Sequence, residues 1–107
     1  DNEFQITQTL DEIIQAINQT ASVLQKAIMA NLLIAFLQPF ADGNKRTSRM
    51  LGNAILVSNG LLPLSFSHTP KDDYIKSILN FYEKQDPSYF VFLFFKELSA
   101  SFVEYVG

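Results

Sequence analysis

The residues best suited to chemistry lie in one short stretch, residues 38–49, which reads QPFADGNKRTSR. It holds three of the eight basic residues of the chain, including both arginines, and Asp42 is the carboxylate beside them. Arg46 and Arg49 are three positions apart, so on a helix they share one face, where forked guanidinium groups can bind phosphate oxygens. On a chain with a net charge of −3, this pattern indicates a local site for an anion.

The turn within this stretch favours a phosphate ligand. Gly43 lets the backbone approach a ligand closely, and the amides of the helix that follows point outward at the positive end of the helix dipole. Asp42 can help to hold Mg²⁺ when phosphate oxygens and waters supply the other ligands. We therefore predict a Mg-nucleotide phosphate site. The alternative, a common turn followed by a solvated basic segment, leaves cations opposing the helix dipole without compensation.

Patterns around this stretch predict an all-α domain, a compact bundle of about five helices whose phosphate-binding loop joins two central helices. Residues 9–12 read as a capping box that begins the first helix. The second helix is predicted from Ser22 to about Leu37, because a proline follows, and to be buried nearly all round. The apolar residues of 50–57 predict the inner side of a third helix that ends at residues 59–60.

Two proline signals predict the remaining helices. Thr69 is expected to cap the fourth helix, with Pro70 in its first turn. The pair at residues 86–87 repeats that signal before a fifth helix that runs to about Tyr105. Residues 90–95, FVFLFF, could form a buried strand by composition, but the polar spacing that follows favours a helix.

Size and composition limit the classes of protein to consider. The chain has 107 residues, 48% of them hydrophobic, which predicts a single domain over residues 1–107, compatible with a piece of a longer protein. Cysteine is absent, which excludes a disulfide framework. Residues 27–37 are too short an apolar run to span a membrane, and the first residues do not resemble a signal peptide, so a cytoplasmic location is expected.

Residues 38–49 resemble the signature of the Fic family, His-Pro-Phe-x-Asp/Glu-Gly-Asn-Gly/Lys-Arg-x-x-Arg, and the similarity extends over about residues 22–95. Fic proteins are all-α and typically transfer AMP from ATP to a hydroxyl of a target protein. The resemblance implies that Mg²⁺ and ATP are bound, and that a Ser, Thr or Tyr hydroxyl of a target, or of the protein itself, is modified.

The resemblance also implies roles for individual residues. Asp42 would bind Mg²⁺. Gly43, Asn44 and Lys45 would form the phosphate cradle, and Arg46 and Arg49 would hold the β and γ phosphates. Phe40 would fill the core beneath the loop and fix its position.

Two positions depart from the family pattern. Gln38 replaces the histidine that acts as general base, and an amide cannot accept a proton near neutral pH, so a loss of roughly 10²- to 10⁴-fold in rate is expected. His68, the only histidine, is expected to have an ordinary surface role. Lys45 replaces the commoner glycine, as in the related death-on-curing toxins, but those lack the second arginine.

Three functions remain open on these grounds. The first is an AMP transferase weakened by Gln38, and the second is a nucleotide-binding or regulatory module without catalysis. The third is a helix-turn-helix DNA binder, which the acidic composition disfavours. The family's self-inhibitory pattern, Ser or Thr four residues before a Glu, is absent from the sequence, so a separate inhibitor protein or segment is conceivable. A homo-oligomer formed through the phenylalanine-rich last helix is a further possibility.

Overall fold

The computed structural model describes residues 2–38 and 42–107. The described residues form five α-helices and no strand, which confirms the predicted all-α class. The helices are α1 (Asn2–Gln19), α2 (Val23–Leu37), α3 (Asn44–Ser58), α4 (Lys71–Lys84) and α5 (Ser88–Val106). None of them is both long enough and apolar enough to cross a membrane.

Helix α1 begins earlier than the sequence indicated. It starts at Asn2, so Thr9 lies within the helix, and the predicted capping box is wrong. No glycine or proline interrupts residues 2–9, and helix formation therefore continues upstream of Thr9. Within α1 the side chain of Ile17 is buried, whereas that of Ile14 is 45% exposed.

Helix α2 occupies the centre of the domain and contacts each of the other four helices. It begins as predicted, because the Ser22 hydroxyl accepts a hydrogen bond from the Gln25 amide at 3.3 Å and caps the first turn. Its buried positions are Ala27, Ala30, Asn31, Leu32, Ile34 and Ala35. The prediction of a helix buried nearly all round agrees with this, except at Gln25 and Phe36, which are exposed.

Helix α3 packs very closely on α2. A Cβ atom at Gly52 would lie 2.2 Å from Nδ2 of Asn31, whose side chain is buried and donates to the Ala27 carbonyl. Helix α3 ends at Ser58 with Asn59 as its C-cap, in line with the predicted end at residues 59–60, but its buried face is Ser48, Gly52 and Leu56. Of the larger apolar residues in the predicted pattern, Ile55 packs against the core, whereas Met50, Leu51 and Val57 are 68%, 43% and 55% exposed. The close approach selects small residues, which a search for apolar periodicity does not find.

Helix α4 starts one residue later than expected. Its N-cap position is Pro70, and the Thr69 hydroxyl donates to Glu97 at 2.7 Å instead of capping the helix. The predicted Thr69 cap is therefore wrong. The carboxylates of Asp72 and Asp73 lie in the first turn, where their negative charge interacts favourably with the positive end of the helix dipole.

The phenylalanine-rich segment is helical, which excludes the strand alternative. Helix α5, like α4, starts one residue later than predicted, with Pro87 as its N-cap position. Asp86, one residue earlier, accepts a hydrogen bond from the Ser88 amide at 3.0 Å. Phe90 and Phe94 are fully buried, whereas Phe92 and Phe102 are more than 60% exposed. The core to which they contribute comprises Ala27, Leu32, Ala35, Leu56, Leu64, Phe66, Tyr74, Ile78, Phe90 and Phe94.

Candidate functional site: a cationic pocket at the start of α3

The connection between α2 and α3 is turned at both ends by residues with left-handed backbone geometry. Gln38 is the C-cap of α2, with φ of 52° and ψ of 57°, and its backbone amide donates to the Ile34 carbonyl at 3.1 Å. Gly43 precedes α3 with φ of 76° and ψ of 19°. Phe40, predicted to anchor the loop, lies outside the described residues, as do its two neighbours.

Gly43 is required for two reasons. Its positive φ is strained for any residue with a side chain. In addition, a Cβ atom at this position would lie 2.7 Å from Nη2 of Arg46, whose guanidinium group lies over the glycine. The absence of a side chain therefore allows both the turn and the placement of the first arginine.

The predicted site residues line a single pocket of about 300 Å³. Its lining consists of Ala35, Gln38, Asp42, Gly43, Asn44, Lys45, Arg46, Arg49 and Tyr82. The seven residues predicted to bind phosphate or Mg²⁺ or to stand at the general-base position are thus brought together. They come from the end of α2, the loop and the first two turns of α3. Within the described part of the chain, Ala35 and Tyr82 also line the pocket, and neither was singled out from the sequence as a site residue.

The pocket carries an excess of positive charge. Lys45, Arg46 and Arg49 line it with one carboxylate, Asp42, and no ion pair with a carboxylate engages either arginine within residues 2–38 and 42–107. Among the same residues, no side chain caps the start of α3 at Gly43. The cations and the helix dipole both favour an anion here.

Arg49 rests on an aromatic ring. Its guanidinium carbon lies 5.3 Å from the centroid of Tyr74, a residue of α4 that is 5% exposed. Burial raises the pKa of the Tyr74 hydroxyl to about 12, against the opposing effect of the Arg49 cation. Tyr74 is therefore neutral at physiological pH and leaves the charge of Arg49 uncompensated.

Tyr82 joins α4 to the end of α2. Its hydroxyl donates to the Ala35 carbonyl and receives a long hydrogen bond, 3.5 Å, from Nε2 of Gln38. Neither tyrosine of α4, Tyr74 or Tyr82, was connected with the site from the sequence. Tyr74 and Tyr82 are eight residues apart, which places them on one side of the helix. This spacing was the signal in the sequence that could have linked the two side chains.

The acidic and histidine side chains of the described part form no group of three or more that could hold a metal ion. Asp42 is exposed at the pocket and offers a hard oxygen ligand beside the predicted phosphate position. His68 lies elsewhere: it contacts Glu97 and Glu104 of α5 and is not part of the pocket lining. This placement agrees with the surface role expected for the histidine.

Comparison with known proteins agrees with the geometry. The Fic/DOC family matches residues 1–56, which include every predicted site residue. A Fido domain-containing protein of Dictyostelium discoideum is 33% identical over 112 residues, covering 95% of this chain and 78% of the relative. A probable protein adenylyltransferase of Aquifex aeolicus is 43% identical over 60 residues, covering 56% of this chain and 18% of the relative. No solved structure was found to match.

A protein adenylyltransferase of Caenorhabditis elegans is 27% identical over 106 residues, covering 95% of this chain and 21% of the relative. The chain thus spans about a fifth of the length of the two adenylyltransferases. The family match covers more than half of the chain, and the Dictyostelium relative is matched over most of its own length. These matches, together with the all-α fold and the pocket, show that the chain belongs to the Fic/DOC family.

Proposed function

We propose that the pocket at the start of α3 binds a Mg-nucleoside triphosphate, and that the domain performs a slow transfer of AMP from ATP to a protein hydroxyl. One observation carries the proposal: Asp42, the start of α3 and both arginines line the same pocket. Within the described part of the chain, neither arginine forms an ion pair with a carboxylate. The reaction class is taken from the names of two relatives, both protein adenylyltransferases.

The phosphate chain is the part of the nucleotide that this pocket suits. Arg46 and Arg49 each offer a planar fork of N–H donors that matches phosphate oxygens. Lys45 adds a cation, and the first amides of α3 add the positive end of a helix dipole. A ligand with several adjacent negative charges satisfies all of these groups at once.

Asp42 suits a shared magnesium ion. One carboxylate with phosphate oxygens and waters is the usual composition of such sites, since Mg²⁺ retains several waters. When bound there, Mg²⁺ would neutralise part of the phosphate charge. Asp42 itself would orient the phosphate chain relative to the arginines.

Gln38 limits the chemical step. In AMP transfer the attacking hydroxyl oxygen bonds to the α-phosphorus, the bond to the oxygen that bridges to the β-phosphorus breaks, and pyrophosphate leaves. The hydroxyl must lose its proton, and a glutamine amide cannot accept it near neutral pH. Gln38 can orient a hydroxyl, but the proton must pass to water, which lowers the rate.

A second candidate function is nucleotide binding without transfer. It is favoured by the hydrogen bond that the Gln38 side chain donates to the Tyr82 hydroxyl, because this bond engages the Gln38 amide group within the protein instead of with a target hydroxyl. In that case the domain would act as a nucleotide-responsive module. The DNA-binding alternative predicts salt-sensitive binding to duplex DNA, which a gel-shift titration tests directly.

The experiment compares the wild-type chain with Gln38→His. Calorimetry with Mg-ATP measures binding, and incubation with α-labelled ATP and Mg²⁺ measures transfer to the protein itself. We expect both forms to bind ATP, and the variant to label about 10²- to 10⁴-fold faster because a base has been supplied. Arg46→Gln in the Gln38→His background is the control, which should reduce both binding and labelling.

Each outcome selects one function. Binding by both forms without labelling by either favours the regulatory module. An absence of ATP, ADP and AMP binding in a folded protein contradicts the proposal altogether. The target protein, a separate inhibitor, a homo-oligomer and a cytoplasmic location stay predictions at this stage.

A further inference from the structure

The two arginines of the pocket are held in different ways. The Arg46 guanidinium lies over Gly43, at the backbone turn that begins α3. Arg49, one turn further along, lies over the ring of Tyr74, which belongs to α4. The second arginine is therefore positioned by a side chain from a different helix, and that side chain does not line the pocket.

The Tyr74 ring is a rigid support. It makes edge-to-face contacts with Phe66, at 5.1 Å between ring centroids, and with Phe90, at 6.1 Å. Phe90 is fully buried, and Tyr74 and Phe66 are at most 7% exposed. Because the core holds the ring in place, the ring can hold the guanidinium group in place.

The ring, rather than the hydroxyl, accounts for the presence of an aromatic residue here. The Tyr74 hydroxyl is buried and makes no hydrogen bond within the described part of the chain. A buried hydroxyl without a partner is unfavourable, so it does not stabilise this arrangement. The attraction between the ring face and the cation does.

A ring has an advantage over a carboxylate as the support for a phosphate-binding arginine. A carboxylate would neutralise the guanidinium charge and accept two of its five N–H donors. An aromatic face attracts the cation but accepts none of the in-plane donors. Arg49 can therefore be fixed in position and still present its charge and its donors to a ligand.

We propose that Tyr74 is the positioning residue of Arg49 and that it sets the preference of the pocket for longer phosphate chains. The inference rests on the proposed function, since it concerns the nucleotide bound at the same site. Arg46 lies nearer in the chain to the turn at Gly43 than Arg49 does. A single phosphate group bound at the turn would therefore contact Arg46 and would be too short to contact Arg49 as well. A ligand with further phosphates uses both arginines.

The test measures the affinities of ATP, ADP, AMP and inorganic tripolyphosphate by calorimetry. The variants are Tyr74→Leu, which removes the ring, and Tyr74→Phe, which keeps it and removes the unpaired hydroxyl. We expect Tyr74→Leu to lower the ratio of ATP affinity to AMP affinity by about 2- to 30-fold, the range of a cation–π contact. Tyr74→Phe should keep the wild-type ratio.

A double variant shows whether Tyr74 acts through Arg49. Arg49→Gln should also lower the ratio, and adding Tyr74→Leu to it should lower the ratio no further. A further drop of several-fold in the double variant would overturn the inference. So would a Tyr74→Leu protein that keeps the full preference for ATP.

Tyr74→Leu removes a core ring and can impair folding. A further measurement therefore uses the wild-type protein. In the wild-type protein the ring current of Tyr74 should shift the side-chain NMR signals of Arg49 upfield relative to those of Arg46. The shift should persist when tripolyphosphate is added, and its absence would overturn the inference. If the wild-type chain binds none of the ligands, the proposed function fails and the inference fails with it, whereas normal ATP binding with an unchanged ratio contradicts the inference alone.

Discussion

Helices α3 and α4 begin in opposite electrostatic surroundings. The first turn of α4 contains Asp72 and Asp73, carboxylates that compensate the helix dipole from within the chain. The first turn of α3 contains no acidic residue, and Lys45 and Arg46 there oppose the dipole. One helix start is thus stabilised by the protein's own groups, and the other carries cations in its first turn that the proposed phosphate ligand would compensate.

The segment before α4 is also tied to the core by a buried carboxylate. Glu97 of α5 is fully buried and accepts hydrogen bonds from the His68 amide at 2.9 Å and the Thr69 hydroxyl at 2.7 Å. The His68 ring lies between Glu97 and Glu104. Two similar helix starts therefore differ in their partners: that of α4 is stabilised by groups of the chain itself, whereas that of α3 is left for the proposed ligand.

The largest expected effect on stability comes from removing the carboxylate that holds the start of α4. Glu97→Ala removes the acceptor of two hydrogen bonds and leaves their donors without a partner, which should cost about 3 kcal/mol of the free energy of unfolding. Urea denaturation followed by circular dichroism measures it. Mg-ATP affinity of the folded fraction should be unchanged, because Glu97 does not line the pocket.

The isosteric variant Glu97→Gln is the matched control for that change. It keeps one oxygen that can accept the bonds from His68 and Thr69, so it should cost less than half as much as the alanine. A loss below about 1 kcal/mol in Glu97→Ala would show that the start of α4 does not depend on this carboxylate.

A smaller effect is expected at the binding side, from Gly43→Ala. The added Cβ would lie 2.7 Å from Nη2 of Arg46, and since this is the end of a flexible side chain, the guanidinium group should move away. Mg-ATP affinity should fall by about 10-fold, because one well-placed charge-assisted hydrogen bond is lost. The strained φ should also lower the free energy of unfolding by about 1 kcal/mol.

Gly60→Ala separates these two consequences. Gly60 has nearly the same backbone angle, φ of 79°, but no atom lies within 4 Å of an added Cβ. The variant should lose a similar amount of stability and keep full ATP affinity in calorimetry. Equal affinities for the two alanine variants would mean that the position of Arg46 does not affect binding.

These contrasts show what the sequence could predict and what it could not. The residues of the pocket were predictable because they are local: residues 42–49 are close in the chain, and a glycine turn before a helix determines their arrangement. Ser22 and Asn59 were also found as helix boundaries, since caps depend on neighbouring residues. The cap predicted at Thr69 was wrong because the distant Glu97 accepts the hydrogen bond of its hydroxyl. The α3 face built on Gly52 was missed, because close packing favours small residues.

The contribution of α4 was missed for a related reason. Tyr74 and Tyr82 come more than 20 residues after Arg49 in the chain, and an aromatic residue in an amphipathic helix is most often part of the core. Tyr74 is indeed part of the core, and it also supports Arg49. A sequence pattern cannot show that one ring does both, because the pairing depends on how α3 and α4 pack.

The smallest expected effect sharpens the comparison by giving α3 the charge pattern of α4. Lys45→Glu places a carboxylate in the first turn of α3 and should stabilise the domain without nucleotide by about 0.3–1 kcal/mol, since the dipole is then compensated from within. The same change should weaken Mg-ATP binding, because it removes a cation and adds a repulsive charge beside the phosphates. Thermal unfolding with and without Mg-ATP measures both effects, with Asp72→Lys as the mirror variant that should lower stability and leave ATP affinity unchanged. If Lys45→Glu lowered the stability of the nucleotide-free protein, the start of α3 would not be strained by its own cations, and an anion would not be needed to complete it.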